Sequence, residues 1–450
     1  MIVSKKFARK VLVSGVMIAG MSGAYAADNS PTVEELWELV QSQQLQLEQL
    51  KQALEQTQSR TTEVKVQSQV NSERLEAVGE VLDQDGGLAG ASWADRTTVG
   101  SYGEVIYNGE TTGSDTKELD VQRFVIFLDH EFNDNLRFVS ELEIEHSLIS
   151  DDARAPGTVE LEQAYLEWDY TANHSVLAGM HLVPMGIVNE THEPNAFYGV
   201  ERNRTESRII PSTYRVNGIK FAGQFSSGLS YDLGIHEGLF FESGNGGELN
   251  IRDARQSGAR AEMDSPAYTG RLRYTAIPGL ELGVAFQYQT DMTQAASTRG
   301  NIGRDGVIDG FGNSVDDLDG LLSETHLVYQ RGDFGFKALY AQWNINSRIE
   351  QVANNDLSNN GLGRDKQLGF YLEPSYKIND QLGVFARYEE TDERAGSNLA
   401  GAKDSTTKRY LMGLNYWLTD DVVLKADYQF EDDDIDRDLN GFNLGIGWQF

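Results

Sequence analysis

Between residues 97 and 450 hydropathy alternates with a period of two, the connections alternate between tight and long, and the first 26 residues carry an export signal. Together these predict an all-β chain, a sixteen-stranded antiparallel transmembrane β-barrel preceded by an N-terminal α-helical coiled coil. The expected division is a signal peptide at 1–26, a periplasmic coiled-coil stalk and hinge at 27–90, and the barrel at 91–450.

The N-terminus comes first. MIVSKKFARK is basic, VLVSGVMIAGM is apolar, and Ala24-Tyr25-Ala26 ends in small residues, the build of a secretory signal peptide. The apolar run is shorter than the roughly 20 residues that a spanning helix needs, so strands must do any membrane crossing. The formal net charge is −31, and loss of residues 1–26 removes Lys5, Lys6, Arg9 and Lys10 but no acid, leaving about −35. So acidic a chain is a poor partner for nucleic acid, which is bound by basic surface. There is no cysteine, hence no disulfide framework and no thiolate chemistry.

The stalk follows. Val33, Leu36, Val40, Gln43, Leu47, Leu50, Leu54, Thr57, Thr61, Val64, Ser68, Asn71, Leu75, Val78 and Leu82 repeat at spacings of three and four, a heptad whose seam is apolar at both ends and polar in the middle. Fully helical, it would reach about 75 Å. Its apolar seam is buried by meeting copies of itself, so a parallel three-stranded bundle and a homotrimer are expected; a single amphipathic helix or a Gln-rich linker is the alternative. DQDGGLAG at 83–90 ends the helix as a hinge.

Strands are expected at 97–108, 119–132, 136–148, 157–170, 175–184, 213–226, 229–240, 264–277, 280–290, 321–331, 334–347, 365–378, 381–392, 405–419, 422–433 and 440–450. Tight links such as NDN (133–135), PG (278–279), GD (332–333) and DD (420–421) consist of turn-formers, whereas 303–320 and 348–363 are long and polar. An even count, long strands and this asymmetry describe a barrel in the outer membrane, which leaves no unpaired edge in hydrocarbon. In the last strand Phe442, Leu444, Ile446, Trp448 and Phe450 then face lipid, while Asn443, Gly445, Gly447 and Gln449 face a polar lumen. The mean hydropathy of −0.44 is consistent with a barrel because only alternate residues need be apolar.

No catalytic or metal-binding motif stands out, and no cofactor is expected. Arg331-Gly332-Asp333 sits at a tight turn. Asp436-Arg437-Asp438-Leu439-Asn440-Gly441 begins like a calcium loop but has Gly447 at position twelve, where a bidentate Glu is required. G-x-S-x-G, Walker and H-E-x-x-H patterns are absent from the sequence. What stands out is charge. Arg202, Arg204, Arg208, Arg215 and Lys220 outnumber Glu201 and Glu206, and Arg252, Arg255, Arg260, Arg271 and Arg273 outnumber Asp253, Glu262 and Asp264. Arg202, Arg204, Arg208, Lys220, Arg271 and Arg273 are the candidates for lining a constriction and guiding anions. Pairing with loop carboxylates or neighbouring subunits is the alternative. Glu141, Glu143 and Glu145 share one strand face, so part of the lumen is expected to be acidic.

VELEQAYLEWDY (159–170), VLAGMHLVPMG (176–186), a long loop and GIKFAG (218–223) resemble the phosphate-selective porin O and P family, loosely over the whole barrel. The resemblance implies a trimeric sixteen-stranded anion porin whose third outer loop, here 185–212, folds into the pore. An aromatic final residue, Phe450, also resembles the assembly signal of bacterial outer-membrane proteins. Where the family often shows G-Q-F-K-x-P-F, this chain reads Gly179-Met180-His181-Leu182-Val183-Pro184-Met185, with Leu182 in place of the lysine. The expected function is a passive diffusion channel for small hydrophilic solutes with an anion, phosphate-like preference. The alternative is a structural tether or adhesin with a closed barrel; a barrel lipase is disfavoured, since no Ser/His constellation can be assembled.

Overall fold

Sixteen strands close on themselves in the computed structural model, which describes residues 93–111, 117–149, 156–241, 249–294, 307–308, 314–315, 318–347, 364–396, 406–433 and 440–450. The signal peptide, stalk and hinge, and residues 436–439 of the calcium-loop-like run, lie outside the described residues. A 3-10 turn at Trp93–Arg96 leads into β1 (Thr97–Glu110), β2 (Lys117–Asn133), β3 (Leu136–Ile149), β4 (Pro156–Thr171) and β5 (His174–Leu182). Then come β6 (Arg215–Gln224), β7 (Leu229–His236), β8 (Ala267–Tyr274) and β9 (Leu280–Gln289). A two-stranded sheet of β10 (Val307–Ile308) and β11 (Ser314–Val315) is separate from the barrel. The ring continues with β12 (Leu318–Arg331), β13 (Phe334–Ser347), β14 (Lys366–Lys377), β15 (Leu382–Asp392), β16 (Thr406–Thr419), β17 (Val422–Asp433) and β18 (Gly441–Gln449). Each barrel strand pairs antiparallel with its neighbours, and β1 meets β18 to close the ring, Gly103 opposite Trp448. The Trp448 ring lies over Gly103, where an added Cβ would come 2.5 Å from its edge.

Alternation is why these segments span. Phe442, Leu444 and Ile446 are exposed on the outer face while Asn443 is buried within, donating to Asp427. The same split runs through β9, with Leu282, Val284 and Phe286 outside and Ala285, Gln287 and Gln289 inside. All sixteen expected strands are present within a few residues. The largest difference is at the end of β7, which stops at His236, short of the expected 240, and β5, β6 and β8 likewise stop short of 184, 213 and 264. Pro184 carries no N–H for a ladder, and Gly238, at φ 70, bends the chain after β7. From these points the connection 183–214 and the described parts of the next long connection, 237–241 and 249–266, turn inward.

The lumen is therefore not polar throughout. Near the long-loop end, Leu318 and Leu322 of β12, Leu339, Trp343 and Ile345 of β13 and Tyr371 of β14 point inward and are buried against Ile209, Ile210, Leu239, Leu249 and Ile251 of the inward connections. An infolded loop needs its own apolar core, and this sector of wall supplies one side of it.

Candidate functional site: the constriction

The connection 183–214 leaves the wall through a neck closed by hydrogen bonds. Val183 N donates to Tyr214 O (2.9 Å), and the Asn189 side chain donates to Val183 O (2.8 Å) while accepting from Tyr214 N (2.8 Å). Beyond the neck Glu206 organises the turn. One carboxylate oxygen accepts from Ile187 N (2.5 Å) and Val188 N (2.7 Å), the other from Asn203 Nδ2 (2.8 Å) and Tyr371 OH (3.0 Å). Trp343 Nε1 donates to Ile209 O at 2.9 Å.

The loop then reaches β15, which lies opposite β5 in the ring. Arg387 donates to Tyr198 O (2.6 Å), Asp427 accepts from Val200 N (2.7 Å), Asn415 donates to Phe197 O (3.1 Å), and Lys425 sits 3.6 Å from the centre of the Phe197 ring. The loop expected at 185–212 thus crosses the lumen. The second connection braces the first. Arg252 donates to Ser207 O (3.2 Å) and Ser212 O (2.6 Å), Arg255 to Pro211 O (3.3 Å) and Thr213 O (2.8 Å), and Gln367 of β14 holds Leu249 O (2.8 Å).

The six candidate cations fall into separate places. Arg202 and Arg208 line a cavity of ≈ 330 Å³ together with Arg123, Arg252, Glu104 and Glu201. Arg208 is exposed to it. Arg202 gives one hydrogen bond, to Thr213 Oγ1 at 3.1 Å, and its Nε and Nη2 are buried without an acceptor among the described residues. Burial first, and the Arg123 guanidinium second, lower the Arg202 pKa from its ordinary value, which marks a cation short of counter-charge. Arg204 turns away and pairs with Glu431 at 2.9 Å, its backbone N–H held by Glu389.

Lys220 and Arg271 both meet Glu190, at 3.3 and 2.5 Å, and Arg271 also meets Asp232 at 2.8 Å. Burial alone would raise the Glu190 carboxyl; Lys220 and then Arg271 override it and pull it down to about 2, so it stays ionised and offsets one of the two cations. Arg273 lies 3.9 Å from Glu281 and borders a second cavity of ≈ 400 Å³ near the tight-turn end, with His174, Tyr231 and Asp232.

Sequence reasoning missed Arg252 and Arg123 as lining groups and the inward course of 237–241 and 249–266. It also missed two β-bulges. Glu104 pairs with Arg123 but Val105 with Val121, leaving Gln122 as an extra residue; Glu141 pairs with Gln163 but Leu142 with Leu161, leaving Glu162. At the second bulge Glu162 and Gln163 both turn to the lumen, where Gln163 donates to Glu141 at 2.6 Å.

No family model matches the chain. A protein of Aquifex aeolicus (strain VF5) called "Uncharacterized protein" is 30% identical over 367 residues, covering 78% of this chain and 80% of that one. The two belong to one family. Around this family's barrel, solved structures show the same fold at low identity. Salmonella typhi OmpF in complex with daunomycin matches at 13% identity and TM-score 0.54, covering 79% of this chain and 97% of its own. The outer membrane channel DcaP of Acinetobacter baumannii matches at 13% and 0.52, covering 81% and 100%. An anion-selective porin from Comamonas acidovorans matches at 13% and 0.50, covering 79% and 100%. The fold is that of outer-membrane porins.

Proposed function

We propose that the chain is an outer-membrane porin, a passive diffusion channel for small hydrophilic solutes that prefers anions of the phosphate kind. The observation that carries this reading is the ≈ 330 Å³ cavity lined by Arg202, Arg208, Arg252 and Arg123 against Glu104 and Glu201, with two Arg202 nitrogens buried beside it without an acceptor among the described residues. A guanidinium fork fits a phosphate or carboxylate in a bidentate manner. The shared fold with an anion-selective porin agrees with it. Of the other candidates, Arg273 borders the second cavity, while Arg204, Lys220 and Arg271 spend their charge on carboxylates and hold the loop. In this reading the protein is a homotrimer in the bacterial outer membrane, exported by residues 1–26, with 27–90 as a periplasmic coiled-coil stalk.

Reconstituted in liposomes, the protein is expected to let sugars and small carboxylates equilibrate, and in a planar bilayer phosphate should compete with chloride current. Liposomes that fail to swell would sink the channel reading. They would instead favour the tether or adhesin with a closed barrel, a second reading that draws on the apolar packing of Trp343, Leu322 and Ile345 within the lumen. Deleting residues 28–82 is expected to leave an inserted, conducting barrel, checked by surface protease accessibility and single-channel recording. A deletion chain that does not insert would make the stalk part of the fold.

A further inference from the structure

Beside the constriction, at mid-height on the wall, lies a cluster that the anion path does not use. Tyr102 of β1, Glu141 of β3 and Glu162 of β4 meet His192 of the infolded loop, and each of the four is at most 3% exposed. His192 Nε2 is 2.8 Å from Tyr102 OH, 3.4 Å from Glu162 Oε2 and 3.8 Å from Glu141 Oε1. One ligand atom from each of Glu141, Glu162 and His192 falls within 4.8 Å of the others.

Three features go beyond an ordinary buried ion-pair group. The first is the orientation of the ring. His192 Nδ1 faces the Asn189 carbonyl at 3.1 Å and donates to it, so Nε2 is the nitrogen turned toward the carboxylates and, once deprotonated, able to ligate a metal, as in a metal-ligating histidine held by its other nitrogen. The second is Glu162, whose two oxygens are buried and accept no hydrogen bond among the described residues. Such a carboxylate is costly to keep unless another ligand reaches it. The bulge that turns Gln163 onto Glu141 is part of the same build, because it fixes Glu141 while leaving Glu162 free to point in. The third is charge. Arg123 pairs with Glu104 (2.8 Å) and Glu143 (3.6 Å), Arg215 pairs with Glu160 and lies 3.8 Å from Glu162, and Arg202 stands by Arg123 on the cavity side. With Glu141, five carboxyl groups thus meet three guanidinium groups, an acid-rich surrounding suited to a cation.

The geometry points to a divalent transition-metal site, Zn²⁺ the ion best matched, held by His192 Nε2, Glu162 and Glu141 with the Tyr102 hydroxyl alongside. One imidazole and two carboxylates form a mixed nitrogen and oxygen set that suits Zn²⁺ better than Ca²⁺ or Mg²⁺, which take oxygen throughout. Arg123 and Glu104 border both the cluster and the ≈ 330 Å³ cavity, which supplies the way in. Since His192 comes from the loop and the carboxylates from the wall, the ion fastens the infolded loop to β1, β3 and β4. The inference rests on the cluster alone and is independent of what the channel conducts.

The test uses the full chain in detergent, stripped with chelator and titrated with ZnCl₂, CaCl₂ and MgCl₂ in turn. One Zn²⁺ per chain is expected, bound more tightly than either alkaline-earth ion. X-ray absorption at the zinc edge should show one imidazole nitrogen at about 2.0 Å with oxygen neighbours at about 2.0–2.2 Å. His192→Gln and Glu162→Gln are each expected to weaken Zn²⁺ by about 100-fold or more, the top of the range that outer-shell changes reach. The wild-type titration and spectrum stand whether or not a variant folds. Zn²⁺ bound no better than Ca²⁺, a spectrum without nitrogen, or folded variants that bind like wild type would overturn the site and leave His192 as an imidazolium in a buried ion-pair cluster.

Discussion

In a planar bilayer under a salt gradient, Arg202→Ala/Arg208→Ala shifts the zero-current potential toward cation preference, and Arg202→Lys/Arg208→Lys does not. Both arginines reach the same cavity, and among the described residues neither has a carboxylate of its own there, unlike Arg204 on Glu431 or Lys220 on Glu190. At about 8 Å in water a unit charge is worth ~0.5 kcal/mol, reduced to about a third by screening at physiological salt. Two charges acting with opposite sign on anions and cations then change the permeability ratio by roughly threefold. The large negative charge of the chain sits mostly elsewhere, and distance and salt discount it. A wild-type channel that is already cation-selective, or a double alanine variant with an unchanged potential, would show that carboxylates such as Glu104 and Glu201 set the sign.

Glu206→Ala is expected to release the constriction. It leaves Ile187 N, Val188 N, Asn203 Nδ2 and Tyr371 OH without their acceptor in buried surroundings. At about 1–3 kcal/mol for each group left unsatisfied, and allowing for relaxation, the infolded state loses about 4 kcal/mol, close to a thousandfold in its population. Single-channel conductance should rise and trypsin should cut at Arg202, Arg204 or Arg208. Recording at 1 M salt, where the Debye length is about 3 Å, separates a wider path from the change in charge. Glu206→Gln, which keeps one acceptor oxygen, should lie between. Unchanged conductance together with continued trypsin resistance would mean that Trp343, Arg387 and Asp427 hold the loop without it.

The barrel was legible because its physics has the simplest period there is: Leu282, Val284 and Phe286 have to meet lipid, and the residues between them do not. The site was less legible, for two reasons. A bulge such as that at Glu162 costs one residue of register and leaves no mark in composition, so the partnership of Glu141, Glu162 and His192 does not appear in any spacing. The packed sector of the lumen did leave a mark. Leu318, Leu321 and Leu322 are apolar on both parities, as are Leu339, Tyr340, Trp343 and Ile345, and a strand apolar on both faces is a strand covered on both. Charge counting picked out Arg202 and Arg208, which both line the cavity, but it counts a paired arginine and an unpaired one alike, and Arg271 between Glu190 and Asp232 looks the same in sequence as Arg202.

The brace between the two inward connections grips backbone. Arg252 and Arg255 hold the carbonyl oxygens of Ser207, Ser212, Pro211 and Thr213, groups that every residue type supplies. Substitution at Ser207 or Arg208 therefore keeps the carbonyls that position the loop while replacing side chains that line the ≈ 330 Å³ cavity. In the proposed channel, selectivity is open to change at those positions without loss of the loop's placement, whereas a change at Arg252 or Arg255 removes the brace itself.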